Sequence, residues 1–215
     1  MFNAGKNDRY TYSHGKEGDG MIKKSLHLLA KILFIFLGGA KIIGQENVPK
    51  EGGVIIASNH KSNWDPPLVF AAMPRQVYFL AKEELFHNFF MRKFLNSLEM
   101  VPLHRGKADR AAMRQSFAII RRGELLGIFP EGTRIRHEGL GPFHTGMASL
   151  ALRLGVPIVP VAAIHTMHPW SKSVPVVAIG KPVMVEKDKP TPEKITELNN
   201  LIRERIEKLY EMYKG

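Results

Sequence analysis

What most constrains this chain is the regular alternation, from Gly52 onward, of short apolar runs with helical patterns. The runs VIIAS (54–58), VYFLA (77–81), MVPLH (100–104), LLGIF (125–129), PIVPVAAI (157–164) and VVAIG (176–180) are rich in β-branched residues and bounded by polar or turn-forming ones. Each reads as a strand, and near-continuous apolarity marks strands buried on both faces. Between them lie helical stretches at 86–98 and 108–122, the second with Met113, Phe117 and Ile120 on one face and Gly123 as its stop. A further helix covers 146–154 and ends at Gly155. Thr191-Pro192 opens a last helix with Ile195, Leu198, Ile202, Ile206, Leu209 and Tyr213 turned inward. Strands separated by helices specify an α/β fold: a single mixed, largely parallel sheet flanked by helices. No repeat and no linker interrupts it, so 44–215 is expected to form one domain.

The first 43 residues follow different rules. Residues 1–20 are charged and glycine-rich and read as a disordered tail. Residues 21–43 are apolar, but Lys31 interrupts them and the longest uncharged run, 32–40, is nine residues. A spanning helix needs about 20. Lys24, His27, Lys31, Gly38 and Lys41 fall on one stripe of a helix, with Leu, Ile and Phe over the rest. That pattern predicts an amphipathic helix lying in a membrane interface. The alternative is a helix packed on its own domain with its lysines exposed. No secretory signal is read in this region.

Composition narrows the chemistry. Thirty-one Lys and Arg against 20 Asp and Glu give a net charge of +11, which favours an anionic partner. A nucleic-acid surface would interleave its basic residues with aromatics; here they lie in the N-terminal helix, in polar clusters after strands and on helix faces, so no nucleic-acid partner is expected. The absence of cysteine excludes a disulfide, a thiolate nucleophile and a cysteine zinc site. His165 and His168 stand in a loop with Pro169 and Trp170 and no carboxylate beside them, so no metal is expected. There is no phosphate-cradling glycine loop, nucleophile elbow or dinucleotide fingerprint.

Three polar clusters each follow an apolar strand: 59–65 (NHKSNWD), 104–106 (HRG) and 130–134 (PEGTR). Ligands of open α/β sheets bind beyond the carboxyl ends of strands, so parallel neighbours would bring the clusters to one crevice. In the first cluster, Asp65 five positions after His60 can meet one imidazole nitrogen and leave the other to take a proton from a hydroxyl. The same spacing is equally compatible with a structural histidine and an aspartate capping the next helix. Thr133 and Arg134 suit a phosphate, and Glu131 could accept hydrogen bonds from a polyol; a charged turn with a Glu131–Arg134 ion pair is the plain alternative. Arg105 offers a second cation, or is a solvated surface residue.

Asn59-His60-x-Ser62-x-x-Asp65, Phe129-Pro130-Glu131-Gly132-Thr133-Arg134 and Val156-Pro157-Ile158-Val159-Pro160-Val161 resemble motifs one, three and four of the 1-acylglycerol-3-phosphate acyltransferase family. Arg105-Gly106 stands where the family's second motif places its arginine, and the resemblance runs over about 40–190. It implies a glycerolphosphate-acyltransferase-like sheet, with His60 as general base and Asp65 orienting it. It implies that Arg105 and Arg134 hold the acceptor phosphate, and that Glu131, Gly132 and Thr133 shape the acceptor pocket. The implied reaction moves a fatty acyl group from acyl-CoA or acyl-carrier protein to the sn-2 hydroxyl of 1-acylglycerol-3-phosphate, giving phosphatidic acid, with no cofactor beyond the donor. The implied partners are the lysolipid, the donor and a membrane surface with anionic lipids, and the implied location is peripheral or monotopic on the cytoplasmic face. Another acceptor, glycerol-3-phosphate or another lysolipid, and a non-catalytic lipid-binding relative are the alternatives. The chain departs from the pattern at Phe143-His144-Thr145-Gly146, where many relatives carry a lysine in place of His144.

Overall fold

The computed structural model describes residues 39–89, 92, 93, 95, 100–103, 110–166 and 173–215. Seven strands form one sheet: β1 (Lys41–Ile43), β2 (Val54–Ser58), β3 (Val77–Lys82), β4 (Met100–Leu103), β5 (Leu125–Ile128), β6 (Ile158–Ile164) and β7 (Val176–Ile179). Among the fully described elements, the helices that cover it are α1 (Asp65–Ala72), α2 (Arg110–Arg121), α3 (Gly146–Leu154) and α4 (Pro192–Tyr213). The strand order is β1-β7-β6-β2-β5-β3-β4. Every pairing is parallel except β6 with β7, which is the mixed, largely parallel sheet the apolar runs predict.

Register sorts the core into two layers. Val54 lies opposite Leu125 and Ile56 opposite Val159, and these side chains pack with Leu68 to Met73 of α1. Ile55 lies opposite both Leu126 and Ile158, and this set packs with Ile119 and Ile120 of α2, Met147 to Leu152 of α3 and Leu198, Ile202 and Ile206 of α4. A parallel sheet needs both faces covered, because successive side chains point to opposite sides and all of β2 is buried. Thr191 caps α4 as its sequence predicts, its hydroxyl accepting from the Lys194 amide. Gly155, at φ 64°, ends α3 in the left-handed conformation a side chain would resist.

Three expectations change. Residues 41–43 are not the end of the expected 21–43 helix: they pair in parallel with Val176–Ala178 as strand β1. The alternation of an apolar segment does not reveal which of its residues find a sheet edge, so the sheet begins before residue 44. The rest of that segment, with the 1–20 tail, lies outside the described residues. Met113 is exposed, whereas Ser116, Ile119 and Ile120 are buried and Phe117 packs partly buried beside them; the inward face of α2 keeps Phe117 and Ile120 of the expected set and leaves out Met113. Of the helix expected at 86–98, Phe86 closes a 3-10 turn (Glu83–Phe86), residues 89, 92, 93 and 95 are helical, and the remainder lies outside the described residues.

Candidate active site

Strands β6, β2 and β5 are neighbours at the centre of the sheet, and their carboxyl ends deliver Thr166, His60 and Glu131 to one rim. The way β2 ends sets the site. At Asn59 the backbone leaves the ladder and the side chain replaces it: Nδ2 donates to the Ala163 carbonyl at 2.9 Å and Oδ1 accepts from the Ala163 amide at 2.7 Å. Asn59 thus extends the β2–β6 pairing by one position, while His60 is freed to turn toward β5.

His60 is gripped along its backbone. Its amide donates to Glu131 Oε2 at 2.7 Å, and its carbonyl accepts from the Ile135 amide at 2.8 Å. Its ring stacks on Phe129, with centroids 4.3 Å apart, and Phe129 stacks on Phe79 at 5.6 Å. Phe79 lies opposite Gly127 in the β3–β5 ladder, and a Cβ at Gly127 would come within 2.2 Å of the Phe79 ring. The glycine inside LLGIF is therefore the space the Phe79 ring occupies.

His60 Nδ1 donates to Asp65 Oδ2 at 3.0 Å. The same oxygen accepts the amides of Lys61 at 2.6 Å and Ser62 at 2.7 Å, and Oδ1 accepts the Thr166 hydroxyl. Asp65 is fully buried in the first turn of α1, where the positive end of the helix dipole favours a carboxylate. It reaches back to the loop that precedes it, so of the two readings of the His60-to-Asp65 spacing, the paired imidazole and carboxylate is the one adopted. With Nδ1 committed, Nε2 is the nitrogen available for proton transfer. The ring retains 18% exposure at the rim.

Glu131 corrects the sequence reading. The turn from Phe129 to Gly132, closed by Gly132 N–H to the Phe129 carbonyl at 3.0 Å, aims its side chain into the protein. It is buried, with Oε2 on the His60 amide and Oε1 on the Gly141 amide at 2.9 Å. Both oxygens are taken by backbone, so neither is presented to a polyol, and Arg134 pairs with Asn63 instead (Nη1 to Oδ1, 2.8 Å). Burial pushes the Glu131 carboxyl above its ordinary range, against the pull of the Gly141 and His60 amides and the Lys61 charge. Burial likewise lowers Lys61, whose ammonium donates to the carbonyls of His137 and Gly139.

Gly132, Thr133 and Arg134 are exposed beside this crevice. Gly132 sits at φ 63° with the His144 ring where its Cβ would be, at 2.7 Å, so His144 packs on the turn itself. Arg105 lies outside the described residues; strand β4, which precedes it, ends on the same rim at the sheet edge beyond β3. Sequence reasoning missed Thr166, the Asn59 bridge and the Phe129 stack. Only Phe129 carried a signal, as the aromatic that opens the PEGTR turn.

Residues 39–164 match a protein-family model described as Acyltransferase. The chain belongs to the acyltransferase family. That stretch of this acyltransferase contains His60, Asp65, Glu131 and Arg134. Over 134 residues it is 31% identical to the 1-acyl-sn-glycerol-3-phosphate acyltransferase of Bacillus subtilis (strain 168), covering 61% of this chain and 66% of that one. Over 150 residues it is 35% identical to the probable 1-acyl-sn-glycerol-3-phosphate acyltransferase of Mycoplasma pneumoniae, covering 65% of this chain and 56% of that one. The chain therefore spans somewhat over half of the length of these curated relatives. Its fold is similar to the crystal structure of the 1-acyl-sn-glycerophosphate acyltransferase PlsC from Thermotoga maritima, at a TM-score of 0.70 and 25% identity, over 91% of this chain and 84% of that one.

Proposed function

We propose that this acyltransferase moves a fatty acyl group from a thioester donor, acyl-CoA or acyl-carrier protein, to the sn-2 hydroxyl of 1-acylglycerol-3-phosphate, producing phosphatidic acid. The observation that carries the reading is the imidazole–carboxylate pair at the crevice, with Nδ1 of His60 held by Asp65 and Nε2 turned to the rim. In the proposed reaction Nε2 removes the proton of the acceptor hydroxyl as its oxygen attacks the thioester carbonyl carbon. The buried Asp65 carboxylate stabilises the imidazolium that results. Collapse of the tetrahedral intermediate breaks the carbon–sulfur bond, and the imidazolium returns the proton to the departing thiolate. No nucleophile from the protein is required and no cofactor beyond the donor enters. That economy suits a chain without cysteine.

The acceptor phosphate is assigned to Arg134 and Arg105, with Gly132 and Thr133 lining its approach. Arg134 is anchored through Asn63 to the loop that carries His60, which ties a phosphate held there to the position of the base. Glu131 acts from behind, fixing the His60 backbone. The similarity to relatives named for 1-acyl-sn-glycerol-3-phosphate supports the acceptor.

Replacing His60 with Ala is expected to abolish transfer from acyl-CoA or acyl-carrier protein to a panel of lysolipids and glycerol-3-phosphate, with an unchanged melting temperature; full turnover in that variant would remove His60 as the base. The wild-type panel also ranks the acceptors, and preference for another lysolipid over 1-acylglycerol-3-phosphate would overturn the acceptor assignment. On this reading the enzyme sits on the cytoplasmic face of a membrane, peripheral or monotopic, with the segment from residue 21 up to strand β1 as the anchor. No helix among the described residues is long and apolar enough to cross a membrane. Deleting residues 1–38, which leaves strand β1 intact, should abolish co-sedimentation with anionic liposomes. Retained sedimentation would reject that anchor.

A further inference from the structure

Asp65 is buried on every side, and its two oxygens are served unequally. Oδ2 meets three nitrogen donors from its own loop, the Nδ1 of His60 and the amides of Lys61 and Ser62. Oδ1 meets the hydroxyl of Thr166, a residue 101 positions further along the chain. An ionised carboxylate oxygen without a donor is costly when buried, and among the described residues Thr166 is the donor at Oδ1. Thr166 is itself buried, although it stands two residues past the end of β6 at a solvent-facing rim.

The backbone that brings it there is strained. His165, immediately before it, has φ 56°, and among the described residues it is the one non-glycine residue with positive φ. Such a conformation is disfavoured for a residue with a Cβ and persists where the surroundings enforce it. His165 Nε2 donates to the carbonyl of Lys214 at the end of α4, at 3.0 Å, which holds the turned residue in place. The turn at His165 and the hydroxyl on Asp65 are one arrangement, in which β6 ends so as to deliver a donor to the far oxygen of the carboxylate.

We infer that Thr166 is a positioning residue for the proposed transfer reaction: its hydroxyl fixes the rotation of the Asp65 carboxylate, so that Oδ2 faces His60. The inference rests on His60 acting as the base. Thr166 touches none of the reacting atoms, so its effect must appear in turnover, with little change in acceptor binding.

The test compares full-length wild-type enzyme with Thr166→Val, Thr166→Ala and Thr166→Ser, using 1-acylglycerol-3-phosphate and an acyl-CoA, with His60→Ala alongside. Val and Ala are expected to lower kcat by about 10–100-fold, as for a buried charged acceptor left without its donor. The acceptor KM should change by less than about twofold. Ser, which keeps the hydroxyl, should restore most of the rate. Val and Ala variants with wild-type kcat, or with a loss of rate that Ser does not restore, would reduce Thr166 to a packing residue and overturn the inference while an inactive His60→Ala leaves the base standing. A His60→Ala enzyme that turns over normally would remove the base, and this role of Thr166 with it.

Discussion

The two rims of the sheet use charge in opposite ways. At the amino-terminal rim, below the starts of β2, β3 and β5, the guanidinium of Arg75 donates to the carbonyls of Pro49, Gly52 and Gly123. One cation ties its own loop to two others, with all three guanidinium nitrogens donating to their carbonyls. At the carboxyl-terminal rim two buried carboxylates gather backbone amides, Asp65 those of Lys61 and Ser62, and Glu131 those of His60 and Gly141. Each carboxylate is held on several sides as Arg75 is, but a remainder is left: the Nε2 of His60, held in place and without a partner among the described residues. A charge bound on several sides makes a staple. The same device becomes a candidate site when what it immobilises is a group with reactive capacity left over.

That contrast can be broken by exchanging the two kinds of anchor. The largest effect is expected at Glu131. Glu131→Gln puts an amide NH2 against one of two backbone donors and releases either the His60 amide or the Gly141 amide, so kcat should fall by about 10–100-fold. A Gln variant with wild-type turnover would mean the His60 backbone needs no such grip. A smaller effect, and of a different kind, is expected at Arg75. Arg75→Met should cost roughly 2 kcal/mol, a melting temperature lower by about 4–8 °C, with kcat per folded molecule unchanged. A loss of kcat at full stability would show that the two rims communicate. The smallest is a slope. Because burial raises the Glu131 carboxyl above its ordinary 4.5, the folded chain holds that proton more tightly than the unfolded chain. Its contribution to stability is complete below the unfolded value and is lost as pH rises through the folded one. The melting temperature of wild type relative to Glu131→Gln should therefore decline with rising pH over that window, and parallel curves would contradict the burial argument.

The strands were legible in the sequence because a sheet buried on both faces leaves an unbroken apolar trace, and the runs at 54–58, 125–129 and 157–164 became its three central strands. Asp65 and His60 were legible because they are close along the chain and belong to one loop. Lys41–Ile43 was misread as helix because its strand character is supplied by Val176–Ala178, a partner far along the chain. Glu131 was misread for a related reason. A carboxylate in a PEGTR turn can face either way, and the amides that draw it inward belong to residues 60 and 141. Thr166 and the Asn59 bridge to Ala163 left no local trace, since each matters only through a contact about a hundred positions away.

The stack of Gly127, Phe79, Phe129 and His60 has a consequence for how this site can vary. Positions 127 and 79 share one volume, so any side chain at 127 demands a smaller one at 79. The second change would remove the ring on which Phe129 rests. The two positions are thus free to drift only together, and neither lies at the crevice. The tilt of the imidazole is inherited from the interior of the sheet. A substitution that looks like ordinary core repacking there would be felt first as an altered direction of approach for the acceptor hydroxyl.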